Sequence, residues 1–102
     1  MTEYTLSQIN PPNREEFLRS GAIDAAWVAH GYQDSIEALR NVMEEQVELA
    51  PEKMTARLQF LGIAVKFLET ERDKQLDRAL AHLSLWKSFR QGELSEETAI
   101  PG

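Results

Sequence analysis

The stretch ETERDKQ, residues 69–75, decides the fold, because a helix either runs through it or turns there. It has no large apolar side chain, although strongly apolar segments lie on both sides. Most of its residues are good helix formers, and the Gly, Asn and Pro that mark turns are missing from it. Two of its Glu residues have a basic residue three positions later, which supports a helix surface. The pattern predicts a continuous helix; the alternative is a hairpin in which Thr70 caps a second helix.

The predicted helix is long, running from about 51 to 91. Pro51 suits a first helical position, and Gly92 suits a C-terminal cap. An apolar stripe at three- and four-residue steps precedes the polar stretch, and a second follows it close to the same face of the helix. We expected Phe60, Ala64 and Phe67 to widen the first stripe. The two stripes supply the predicted dimer interface: Met54, Leu58, Leu61, Val65, Leu68, Leu76, Leu80 and Leu83.

The length of this helix is the reason to expect a homodimer. About 40 residues span roughly 60 Å. The other predicted helices are too short to cover both stripes, and soluble monomers avoid large exposed apolar patches. A second copy of the chain would cover them, with Gly62 as a candidate for a close helix crossing.

The rest of the chain completes an all-α fold. Residues 1–12 are expected to form an extended arm that ends at two prolines. A short helix is predicted from about 14 to 20, followed by a middle helix that reaches Leu49. A break or kink near Gly31 is an open alternative for the middle helix, because glycine weakens a helix. Residues 13–91 are then one helical domain, and residues 92–102 are a flexible acidic tail.

Composition narrows the classes of function. The chain has 102 residues, no cysteine and a net charge of −6. The acidity argues against direct binding to nucleic acid. No apolar run is long enough to span a membrane, and the first residues do not resemble a signal peptide, so a cytoplasmic location is expected. Residues 1–52 carry three basic and ten acidic side chains, whereas residues 53–91 carry eight and four. The two parts are expected to attract each other, within the fold or across a dimer; an acidic partner for the basic part is the alternative.

Candidate catalytic and metal-binding groups are sparse. His30 and Asp34 are four residues apart but have no third ligand at a recognised spacing. Four glutamates lie between 44 and 52 without the Glu-x-x-His pairs of a di-metal site. We find no phosphate-binding loop and no nucleophile elbow. The sequence therefore predicts no enzyme, no cofactor and no metal site. The remaining alternative is an enzyme with a carboxylate or histidine site between helices.

The stretch HLSLWKSFRQG carries the predicted partner-binding site. Trp86 and Phe89 are three residues apart and form an aromatic ridge, with basic side chains beside it. Aromatic residues and arginine are enriched in binding hot spots. The other interpretation is that both aromatic residues close the core. The predicted site comprises His82, Trp86, Lys87, Phe89 and Arg90.

Taken together, these patterns favour protein binding without catalysis. We expect a small dimeric regulator or adaptor that binds and sequesters a larger protein, as an antiactivator does. This comparison is based on size and architecture only. The alternative is a phage or bacterial assembly subunit that forms larger helical oligomers.

Overall fold

Two long helices that pack against each other dominate the fold. The computed structural model describes residues 3–49, 52 and 55–101. Helix α1 comprises Arg14–Leu49 and helix α2 comprises Thr55–Arg90, each with 36 residues, or about 54 Å at 1.5 Å per residue. Short 3₁₀ turns at Leu6–Gln8 and Pro11–Asn13 precede α1. Strands β1 (Glu3–Thr5) and β2 (Ala99–Pro101) lie near the two ends of the chain.

Helix α2 runs through ETERDKQ without interruption, which confirms the predicted continuity. Its predicted start at Pro51 lies outside the described residues. Its end is also as predicted: Gly92 has φ of 73°. The Gly92 N–H donates to the Phe89 carbonyl and the Glu93 N–H to the Ser88 carbonyl, both at 3.0 Å. This pair of bonds is a Schellman cap, which satisfies carbonyls that the helix end leaves unpaired.

Helix α1 corrects the predicted division into a short helix and a middle helix, because the two form one helix. It continues through Ser20 and Gly21, where the short helix was expected to stop. It also continues through Gly31, where a break or kink was the alternative interpretation. No proline interrupts residues 14–49. A glycine inside a helix costs only about 0.5–1 kcal/mol relative to alanine, which tertiary packing readily offsets.

The length of α1 removes the premise of the dimer argument. We expected the remaining helices to be too short to cover α2, but α1 has the same number of residues as α2. The inward face of α2 is therefore covered within the same chain. Gly62 does not mark a close crossing either, since a Cβ built there would have no neighbour within 4 Å among the described atoms.

Residues 1–27 and 75–102 form one compact unit. Its core consists of Leu6, Leu18 and Ile100, which are at most 3% exposed. Six partly buried apolar side chains pack against this core: Ile9, Phe17, Leu85, Trp86, Phe89 and Leu94.

The two ends of the chain correct the predicted arm and tail. Strands β1 and β2 pair antiparallel, with Tyr4 opposite Ile100. The Leu6 N–H donates to the Thr98 carbonyl at 3.0 Å and the Ser7 N–H to the Glu96 carbonyl at 2.9 Å. Each segment supplies the partner strand that the other lacks, so neither is the isolated arm or tail that we expected. The paired strands, which we call the terminal ribbon, extend the folded region beyond the predicted bounds of 13–91.

Residues 28–74 form the second compact unit. Ala29, Ile36 and Val65 are its buried apolar residues, at 2%, 0% and 7% exposure. Polar contacts between described residues join the helices within this unit. Arg72 donates to the Gln33 side-chain oxygen at 2.6 Å, and Arg40 pairs with Glu69 at 3.0 Å. Since the later residue of α2 contacts the earlier residue of α1, the helices are antiparallel here. The polar stretch at 69–75 thus contributes contacts to α1.

Candidate protein-binding surface

The predicted aromatic ridge lies at the edge of the core rather than free on the surface. Trp86 and Phe89 are half-buried and pack against the cluster of Leu6, Leu18 and Ile100. The Trp86 Nε1–H donates to a Glu15 carboxylate oxygen at 3.4 Å. The alternative interpretation, in which both aromatic residues close the core, therefore describes their position better.

The basic part of the predicted site remains accessible. Lys87 and Arg90 are exposed. The guanidinium carbon of Arg90 lies 5.1 Å from the centroid of the Trp86 ring, a cation–π distance. These two side chains can still contact a partner, but Arg90 already has an aromatic contact within the chain.

His82 cannot belong to a partner-binding surface, because it is buried. Its side chain is 1% exposed, and its Nε2 lies 2.8 Å from the carbonyl oxygen of Pro101. The ring packs against the backbone of Gly21 and, at a centroid distance of 6.1 Å, against Phe17. Nδ1 has no hydrogen-bond partner among the described atoms. His82 thus joins α2 to α1 and to the terminal ribbon.

Most of the predicted dimer interface faces into the chain. Val65 is buried, and Leu58, Leu61, Leu68 and Leu83 are partly buried. Their burial within one chain leaves little of this stripe for a second copy. Leu76 and Leu80 remain accessible, at 42% and 63% exposure, and Met54 lies outside the described residues.

A second apolar stripe on α2 is mostly exposed, and the sequence-based prediction did not separate it from the first. Phe60, Ile63 and Phe67 are 73%, 66% and 62% exposed. Spacings of three and seven residues place them on one side of the helix. We name these three residues the outer stripe. It lies wholly within the unit of residues 28–74.

The sequence contains the signal that separates the two stripes. Each residue of the outer stripe follows an inward residue by two positions: Leu58 and Phe60, Leu61 and Ile63, Val65 and Phe67. Two residues correspond to about 200° around an α-helix, so the members of each pair point to opposite sides. Treating Phe60 and Phe67 as extensions of the inward stripe was wrong for this reason.

Charged side chains border the outer stripe. Arg57 and Lys66 are exposed on α2 beside it. Beyond Phe67, Lys74 pairs with Glu71 at 3.1 Å, with side-chain exposures of 65% and 25%. An apolar centre with a charged rim is the arrangement found in protein–protein interfaces.

Helix α1 carries a smaller exposed apolar pair. Ile23 and Trp27 are four residues apart and are 41% and 69% exposed. Both belong to the unit that contains the terminal ribbon. The molecule therefore has exposed apolar side chains on both long helices.

Of the remaining polar candidates, His30 and Asp34 lie close together on the exposed surface of α1. His30 Nε2 and Asp34 Oδ2 are 3.7 Å apart, with both side chains about two-thirds exposed. Within the described ranges, no three His, Asp or Glu side chains come together as a metal ion requires. Hydrogen bonds from the Arg14 guanidinium, at 2.7 and 2.8 Å, lower the pKa of Glu96, whose side chain is 64% exposed.

Comparisons with models of protein families, with curated proteins and with solved structures found no match for this chain. None of the helices in the described part of the chain is long and apolar enough to cross a membrane.

Proposed function

We propose that this protein is a non-enzymatic protein-binding module whose binding surface is the outer stripe. The observation that carries the proposal is the exposure of two phenylalanines and an isoleucine, at 62–73%, on one side of α2. Together they present on the order of 300–400 Å² of apolar surface. Patches of this size are among the largest on monomeric proteins and are often functional.

Packing supports a role for the outer stripe beyond folding. The chain already has buried residues in both units, including Ile36 and Leu18 at 0% exposure. Helix α2 is covered by α1 on its other side, so the outer stripe is not needed to bury α2. Large aromatic side chains left outside a completed core favour contact with another chain.

The role that we propose is that of a small regulator or adaptor, which binds and sequesters a larger protein in the manner of an antiactivator. A partner helix with apolar residues at three- and four-residue steps would fit the outer stripe. We keep a cytoplasmic location within the proposal, because a chain without cysteine needs no oxidising compartment.

The test is photo-crosslinking in cells from a photoreactive amino acid at position 63, with position 38 as the matched control. Ala38 is exposed on α1 and outside the outer stripe. We expect covalent adducts with a different protein from position 63 that position 38 does not form. The adducts should disappear when Phe60 and Phe67 are both changed to serine. Equal adducts from both positions, or none from position 63, would contradict the proposal.

A second candidate is an assembly subunit, which the exposed pair Ile23 and Trp27 favours. Two different apolar surfaces on one chain allow head-to-tail contacts between copies. Such contacts produce open filaments when the rotation from one copy to the next does not close a ring. Molar mass from light scattering separates the candidates. A regulator stops at a small, fixed number of copies, whereas an assembly subunit grows with concentration and stops growing on Trp27→Ala.

A further inference from the structure

We propose that the first occupant of the outer stripe is a second copy of this chain, with the two α2 helices antiparallel and related by a two-fold axis near residues 63 and 64. This inference rests on the proposed binding role of the outer stripe. In this proposal the outer stripe takes the place of the dimer interface predicted from the sequence, most of which faces into the chain. The proposal also gives the orientation of the two helices.

The spacing of the outer stripe is self-complementary. Phe60 and Phe67 are seven residues apart, and Ile63 lies near their midpoint. Seven residues are nearly two helical turns, so these residues follow the spacing of a short coiled-coil seam. When the helices run antiparallel about the midpoint, Phe60 of one copy meets Phe67 of the other. Ile63 then lies beside the symmetry axis. A two-fold interface requires such pairing of a surface with itself.

The charges beside the seam agree with this register. Arg57 and Glu71 are fourteen residues apart, or two heptads, so they lie on the same side of the seam. Their midpoint is within half a residue of the midpoint of Phe60 and Phe67. An antiparallel pair therefore brings Arg57 of each copy near Glu71 of the other. In the single chain Glu71, whose side chain is 25% exposed, pairs with Lys74 at i, i+3, and an ion pair of this kind on a helix surface contributes little to stability.

A parallel pairing would place these charges differently. In a parallel two-fold dimer, Arg57 of the two copies lies on opposite flanks of the seam, and Arg57 of one copy is far along the helix from Glu71 of the other. The contact between Arg57 and Glu71 is therefore specific to the antiparallel arrangement.

The area of the outer stripe sets the expected strength. Stable interfaces bury about 800 Å² on each partner. The outer stripe provides on the order of 300–400 Å² on each copy, about half of that area. We therefore expect a reversible dimer that dissociates on dilution. Such a dimer leaves the outer stripe free to exchange the second copy for a partner helix.

Cysteine cross-linking tests the pairing directly, because the full chain contains no native cysteine. The single variants Ile63→Cys, Phe60→Cys and Phe67→Cys are oxidised under mild conditions, with Ala38→Cys as the control. We expect Ile63→Cys to form a disulfide-linked dimer far faster than Ala38→Cys. An equal mixture of Phe60→Cys and Phe67→Cys should cross-link faster than either variant alone, because position 60 of one copy faces position 67 of the other.

Two results would overturn the inference. One is a rate for Ile63→Cys no higher than that of Ala38→Cys. The other is self-linking of Phe60→Cys and of Phe67→Cys as fast as their mixture, which indicates parallel helices. If position 63 still captures a different protein in cells, the pairing fails while the proposed binding function stands. If the disulfide dimer forms and no other protein is captured, the binding function fails instead.

A charge exchange provides a second test that does not use cysteine. Arg57→Glu places carboxylates opposite each other, and it should weaken the dimer by about tenfold in dissociation constant, measured by sedimentation. Combining it with Glu71→Arg should restore the original affinity. A double variant that is no tighter than Arg57→Glu alone would contradict the register.

Discussion

At the scale of single residues, the contact between Gly21 and His82 shows how one position is constrained by tertiary packing. Gly21 lies inside α1, where alanine is normally preferred. The ring of His82 lies so close to its backbone that a Cβ at position 21 would overlap Nδ1. His82 is held in place in turn by its hydrogen bond to Pro101. The absence of a side chain at Gly21 therefore allows α1 and α2 to approach there.

Gly21→Ala is expected to destabilise the protein by about 1–3 kcal/mol, because overpacking a buried site forces its neighbours to shift. The measurement is the free energy of unfolding from urea titration. Gly31→Ala is the matched control, since a Cβ at position 31 would meet nothing within 4 Å. Gly31→Ala should raise the free energy of unfolding by roughly 0.5–1 kcal/mol, which is the helix preference of alanine over glycine. Effects of the same sign at both positions would show that the His82 contact does not limit position 21.

At the scale of elements, the first residue of α1 is tied to the segment that leads into β2. Arg14 donates two hydrogen bonds to the Glu96 carboxylate and one, at 2.9 Å, to the carbonyl of Ile9. The Arg14 guanidinium is mostly buried, at 12% side-chain exposure, whereas Glu96 is 64% exposed. Arg14 thus connects the beginning of the helix with both flanking segments of the chain.

The Arg14–Glu96 pair predicts a pH dependence of stability. Since Arg14 lowers the pKa of Glu96 in the folded protein, the ionised carboxylate stabilises the fold at neutral pH. This contribution is lost as the pH falls through the lowered pKa, where Glu96 takes up a proton. Glu96→Gln should therefore be less stable than the wild type at neutral pH, and the difference should close on acidification.

Urea titrations across the acidic range measure this difference. Glu97→Gln changes the neighbouring exposed carboxylate and is the matched control. A gap between wild type and Glu96→Gln that stays constant with pH would show that the ionised pair does not stabilise the fold.

At the scale of the whole molecule, the terminal ribbon completes the core of one unit. Ile100 is 0% exposed and lies in the same cluster as Leu6 and Leu18. Residues from both ends of the chain therefore meet in one apolar cluster. Shortening either end should affect this core as much as a substitution within α1.

Ile100→Ala is expected to destabilise the protein by about 2–5 kcal/mol, through lost apolar burial and the cavity that remains. The matched control is Ile63→Ala, which removes the same atoms from a side chain that is 66% exposed. At a concentration where the chain is monomeric, that change should alter the unfolding free energy by no more than about 0.5 kcal/mol. Thermal and urea unfolding compare the two variants. Equal losses would mean that the exposed position contributes to the fold of the single chain.

The sequence by itself determined the features that depend on local interactions. Helix formers and the absence of turn residues predicted continuity through ETERDKQ, and the glycine at position 92 predicted the helix end. Both were confirmed, because backbone propensity and capping act within a few residues. The proposed binding surface could be predicted only in part from the sequence. The two-residue offset separates two stripes on α2, but spacing alone does not tell which one faces inward.

Only the tertiary structure decided the features that depend on distant residues. It placed the Leu58 and Val65 side of α2 against α1 and left Phe60 and Phe67 outside. It also paired β1 with β2, although neither segment has a strand partner nearby in the sequence. The physical reason is the same in both cases. Burial and strand pairing require contacts between residues far apart in the chain, whereas helix propensity is set by neighbours.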